Sequence, residues 1–287
     1  MNDTRTQLRH KLQRVEKENY QLREGESREE LIAQMLRFIG DPDPELRDGL
    51  IYPTFYVWMT EERLTEEEWR CLLQQLADEN HLFHHIGSDG DQTVFTRTFS
   101  VLPLALIARR HSRKPFLDRA GYELLKHSLL RYYREEKDLR GLLPEEGWAH
   151  SAAHGADALK ELVQCPESDA AVQRDVLAAI QGMLQNGSHI FGEEEDERIA
   201  SILDAMIGNG RLSQAELADW ITGLSTCLDW PRSRAQAVAR VNGKNLLRSL
   251  YFRRGQEGGG NALAAAILEA EAGLNRFAVA DRQRQTS

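Results

Sequence analysis

Two histidines four residues apart, His150 and His154, are followed three residues later by Asp157. Along an α-helix this spacing stacks the three side chains on one face. Imidazoles and a carboxylate on one face can hold a divalent metal, move a proton, or lock one another into a buried polar network. The His-x-x-x-His pair is half of a zinc-protease signature, but Ser151 stands where that signature carries its glutamate base. As ligands, His150, His154 and Asp157 would supply two nitrogens and one oxygen, a set suited to zinc, iron, manganese or nickel with a position left open for water. His189, Glu193 and Glu195 are the candidates to complete it. Packing is the competing reading: one imidazole donates to Asp157, the other to a backbone carbonyl, and the pair fixes the helix in place. Ser151 and Cys165 are weak nucleophile candidates, because neighbourhood in sequence establishes no attack geometry.

These residues must be positioned by the stretch 138–163, a turn broken by Gly141, Pro144 and Gly147 and then a helix rich in Ala, Ser and Gly. Small side chains let such a helix approach another closely. Apolar residues elsewhere recur at helical spacing: Leu31, Ile32, Met35, Leu36 and Ile39; then Leu72, Leu73 and Leu76; then Val172, Val176, Leu177 and Ile180. Thr65 with Glu68 and Ser213 with Glu216 read as capping boxes. Pro53 should interrupt or kink the run 45–59. Residues 94–110 fit either strand or helix, and the helical pattern around them favours helix.

The expected fold is all-α: an irregular α/α superhelix or α-solenoid of stacked helix pairs, since the helices are too many for a short four-helix bundle. Residues 1–27 read as a polar arm or helix, 28–280 as one helical-repeat domain, and 281–287 as a frayed tail. Trp58, Trp69, Trp148, Trp220 and Trp230 read as packing anchors.

Other clusters carry less. His81, His84 and His85 sit at a helix end, where the dipole favours solvated histidine. The basic run 109–114 lacks interleaved aromatics and reads as helix-end charge before phosphate or nucleic-acid binding. The glycine-rich 257–261 follows no strand and reads as a flexible turn. Forty-five acidic against 36 basic residues, a net charge of -9, argue against nonspecific nucleic-acid binding. No apolar run approaches the roughly 18 residues of a membrane helix, and the amino terminus lacks a signal-peptide core. Three widely spaced cysteines fit a reducing cytoplasm.

The segments DLRG, GWAHSAAHGADALKELV, FGEEEDERIASIL and LLRSLYF resemble the bacterial DUF2785 family over roughly residues 30–255, with GWAH-x-x-AHGAD the specific part. Positions matching the pattern are Asp138, Arg140, Gly141, Gly147, Trp148, His150, His154, Asp157, Glu195, Arg198, Arg248 and Tyr251; the key glutamate falls on Glu193 or Glu195. The resemblance implies an all-helical, soluble bacterial protein and carries no assigned activity.

Together these readings lead to a protein-interaction or small-ligand-binding module, its polar groove lined by Trp148, His150, His154, Asp157, Arg198, Arg248 and Tyr251. The partner is a protein or small molecule. The alternative is a metal-dependent enzyme, a hydrolase if the metal activates water, using the His150/His154/Asp157 face. Arg248 either meets a ligand anion or pairs with an acidic residue such as Asp157 or Glu195. A purely structural His/Asp network is the third reading.

Overall fold

A computed structural model describes residues 2–254 and 262–277. The described residues are predominantly helical, with helix-pair contacts consistent with an α-solenoid arrangement. Two compact units divide the chain, Met1–Glu167 and Ser168–Ser287.

In the first unit α1 (Asn2–Lys17) buries Leu8, Leu12 and Val15. Arg5 ties it to Asp41 at 2.6 Å and to Asp43 at 3.0 Å. Ser27 caps α2 (Arg28–Arg37). The run around Pro53 divides as its missing N–H demands. A short helix α3 (Pro44–Leu46) passes through a π turn, Arg47–Ile51, into α4 (Tyr52–Thr60). The expected capping box of Thr65 and Glu68 opens α5 (Glu66–Leu76).

At the centre lies α6 (Thr93–Arg113), one continuous 21-residue helix containing Pro103. It packs against α4, α5 and two helices that follow, α7 (Arg119–Glu135) and α8 (Ser151–Leu162). Burial on nearly all sides removes any apolar stripe, which is why its periodicity left strand and helix both open. Gly155 permits the close approach of α8 to α7: a Cβ there would lie 2.6 Å from the Tyr133 ring. Between α7 and α8 the expected loop holds a small antiparallel hairpin, β1 (Leu142–Leu143) and β2 (Gly147–Trp148), pairing Leu142 with Trp148.

In the second unit Asp169 caps α9 (Ala170–Leu184). Then come α10 (Glu195–Asn209) and α11 (Gln214–Gly223), the latter opened by the expected Ser213/Glu216 box. A 3-10 turn, Leu224–Asp229, leads to α12 (Arg234–Arg254), and α13 (Ala262–Leu274) follows. Here α12 packs on α9, α10 and α13, and α11 packs on α13. The glycine-rich 257–261 and the tail 281–287 lie outside the described residues. No helix among the described residues is long and apolar enough to cross a membrane.

Candidate metal centre

Six helices open in the ordinary way, on Ser27, Asp43, Thr65, Asp118, Asp169 and Ser213, each accepting a first-turn backbone N–H. Two do not. The first residue before α8 is His150, at φ 49° and ψ 38°, and the one before α10 is Glu194, at φ 68° and ψ 17°. Neither makes a side-chain cap bond. A left-handed backbone costs an L residue about 1–2 kcal/mol, and strain held against that cost concentrates where geometry serves a site.

The DLRG segment holds His150 in this conformation. The His150 N–H donates to the Arg140 carbonyl and the Ala149 N–H to the Gly141 carbonyl, both at 2.9 Å. Arg140 in turn grips the buried Asp138 through two bonds, Nε to Oδ1 at 2.8 Å and Nη2 to Oδ2 at 2.6 Å. Asp138 Oδ2 also accepts the Gly90 N–H at 3.0 Å, and its backbone carbonyl accepts the Ser151 hydroxyl. Ser151 is therefore engaged and buried, in no position to act as a nucleophile. Cys165 is likewise fully buried.

The hairpin is seated from beneath by Arg47, which is fully buried. Its guanidinium donates to the carbonyls of Asp41 and Glu146 and lies 3.9 Å from the Phe95 ring centre and 4.7 Å from that of Phe99. Burial pushes Arg47 below its ordinary range, and the Asp48 carboxylate works against that shift. Gly147, at φ 78°, crosses directly over this segment; a Cβ there would stand 3.0 Å from Asp48 Oδ2.

On this support four rings form a row. Trp148 stacks on His150 at 4.6 Å and 25°, His150 meets His154 edge-on at 5.7 Å, and His154 meets Phe99 edge-on at 5.7 Å. Trp148 departs from the packing-anchor expectation: it is 39% exposed, against 1% for Trp58 and 2% for Trp69. Cross-strand pairing to the exposed Leu142 holds it at the surface, above a buried histidine.

The acidic donors are fixed by their own local device. Asn242, fully buried on α12, accepts the Phe191 N–H at 3.0 Å and donates to the carbonyls of Leu184 and His189. This anchors the segment before the acidic run. Glu195 Oε2 then turns back to accept the Glu193 N–H at 2.8 Å, across the left-handed Glu194. The Glu195 side chain is thereby buried to 2% exposure.

The first unit thus sets two imidazoles, His150 and His154, edge-on to each other, and the second sets Glu193 and Glu195 in one bonded turn. Imidazole nitrogens are ligands for zinc, iron, manganese or nickel, and carboxylates are the hard-oxygen ligands of the same ions.

The other sequence candidates lie elsewhere or play other parts. His154 and Asp157 are half-buried on α8, one and two turns beyond His150. His189 is half-buried in the second unit, its ring against Phe191 at 5.8 Å. Arg198 is exposed on α10. Arg248 pairs with Glu271 at 2.8 Å, rather than with Asp157 or Glu195, and Tyr251 lies against Phe252. The Arg248 side chain is 47% exposed in that pair. Arg248→Ala is therefore expected to cost no more than about 1 kcal/mol in urea unfolding; a loss several times larger would mean a buried role. Of the other histidine cluster, His81 Nδ1 bonds Asp78 at 2.8 Å and the His84 and His85 rings lie 4.5 Å apart.

A family model described as "Protein of unknown function (DUF2785)" matches residues 82–252, more than half of the chain. It starts later than the resemblance over 30–255 and spans the DLRG turn, α8, the acidic run and most of α12. No curated protein and no solved structure matches the chain.

Proposed function

The chain belongs to the DUF2785 family, and on that premise we propose that it binds a small ligand through a divalent metal ion held by His150 and His154. The row of rings carries the reading: the exposed Trp148 indole stacks at 4.6 Å on the buried His150 imidazole, and His154 meets His150 edge-on at 5.7 Å. Support also comes from the strained start of α8, which holds His150 where an ordinary cap would not. Imidazole ligands suit zinc, iron, manganese or nickel.

Two imidazole ligands leave coordination positions for a small molecule or water. Function here is ligand binding at the metal, beside the exposed indole of Trp148. Hydrolysis is the second reading, favoured by the open positions, in which a bound water would be the nucleophile. Asp157, one turn further along α8, then serves as the polar surroundings of the two histidines rather than as a ligand. The free thiols Cys71, Cys165 and Cys227 fit a reducing compartment, and we place the protein in the cytoplasm.

The full chain, purified without chelator or histidine tag and dialysed against zinc, manganese or ferrous iron in turn, should retain one equivalent of at least one metal by elemental analysis. No retained metal under any of the three conditions would sink the reading and leave the cluster a packing network.

A further inference from the structure

Most arginines of the first unit are neutralised. Arg5, Arg14, Arg28, Arg97 and Arg131 each meet a carboxylate at 3.1 Å or closer. Arg109, Arg113 and Lys160 do not: none forms an ion pair among the described residues. Instead all three line one open cavity of about 470 Å³, together with Ser112, Glu161 and Gln164. Two of the cations come from the end of α6 and the third from α8. The helix dipole favours Arg113 in the last turn of α6 and Lys160 in the last turn of α8; it does not account for their meeting Arg109 at one cavity.

A second cavity, of about 150 Å³, shares Arg109 and Arg113 with the first. Its other walls are mixed: Tyr56, Met59 and Leu106 supply apolar surface, with Tyr56 44% exposed, beside Thr60, Glu62 and Arg110. On that side Glu62 faces Arg110 at 3.7 Å and Lys114 at 4.0 Å. Arg109 and Arg113 thus stand between a polar, cationic chamber and one with an apolar wall.

We propose that the paired cavities bind a phosphate monoester of an apolar or aromatic alcohol, its phosphate held by Arg109, Arg113 and Lys160 and its apolar body against Tyr56, Met59 and Leu106. Arginine presents a planar fork to phosphate oxygens and lysine a point charge. Three cations against the single carboxylate of Glu161 leave an excess that a dianion matches. Glu161 is the one opposing group in the chamber. Burial holds its carboxyl above the ordinary range, even with Arg109, Lys160 and Arg113 nearby. Gln164 Nε2 donates to it at 3.4 Å.

The test is calorimetric titration of the full chain with phenyl phosphate and with inorganic phosphate, in the presence of EDTA so that a metal-bound anion contributes nothing. Phenyl phosphate should bind at least tenfold more tightly than inorganic phosphate, and its affinity should fall steeply with added salt. Arg109→Gln, Arg113→Gln and Lys160→Gln, all at solvent-accessible positions, should each weaken it by about tenfold or more, since each removes a charge-assisted contact. Glu161→Gln should tighten it, an effect of opposite sign that misfolding does not produce. No binding of phenyl phosphate at millimolar concentration would overturn the proposal. So would affinities unchanged in the three cation variants, or equal affinity for the two phosphates.

Discussion

Arg97→Ala is expected to remove about 3–5 kcal/mol of stability, the cost of leaving a buried carboxylate without its partner. Arg97 and Glu136 are both fully buried at their side chains and joined by two bonds, 2.7 Å from Nε and 2.9 Å from Nη2. The guanidinium has further work: Nη1 reaches the carbonyls of His84 and His85 and the hydroxyl of Thr93 at 2.8–3.2 Å. It therefore closes the loop that precedes α6 while neutralising the residue that follows α7. Hydrogen bonding to Glu136 holds Arg97 charged, above its ordinary range, against the desolvation that opposes it.

The consequence reaches the candidate metal centre. Glu136 Oε1 accepts the N–H groups of Lys137 and Asp138 at 2.9 and 3.0 Å, and Asp138 orients Arg140, whose carbonyl receives the His150 N–H. Urea unfolding should show the loss at an unchanged slope. Replacing both partners, Arg97→Met with Glu136→Leu, should recover a large part of it, because the unpaired buried charge is gone. A single-variant loss below about 1 kcal/mol would show that the pair is solvated and not the keystone of this turn.

Elements governed by local rules were legible in the sequence. The capping boxes at Thr65 and Ser213 appear as written, because a hydroxyl and a glutamate three residues apart satisfy each other with no help from the rest of the chain. The same holds for the amphipathic helix α2, and for α8, whose small residues predict its close approach to α7. His150 and the acidic pair Glu193 and Glu195 were visible as candidate donors.

What stayed hidden depends on residues far apart. Arg47 lies in a run that shows only a proline-broken helix, yet it seats a hairpin whose Glu146 is nearly a hundred positions away. Asn242 carries no local signal in the sequence; its burial and its three bonds follow from where α12 lies against the 189–191 segment. The hairpin itself has strands of two residues, too short for any alternation to register. Helical spacing also gave His154 the same standing as His150. Spacing assumes that both belong to a regular helix, whereas His150 precedes it with a left-handed backbone, and this takes its ring out of the helical register.

That difference bears on the proposed metal site, because it sets the two rings edge-on at 5.7 Å. His150→Ala and His154→Ala are each expected to lower metal affinity by more than about 100-fold, beyond the 10–100-fold typical of outer-sphere partners. Asp157→Ala should lose no more than that outer-sphere range. Competition titration against a chromophoric chelator reads all three. Thermal unfolding in excess metal supplies a check, since a ligand at a hundred times its Kd adds about 2.7 kcal/mol to the folded state. Wild type should show that metal-dependent gain; His150→Ala and His154→Ala should not. If His154→Ala instead loses no more than Asp157→Ala, His154 is an outer-sphere partner and the two histidines do not hold the ion together.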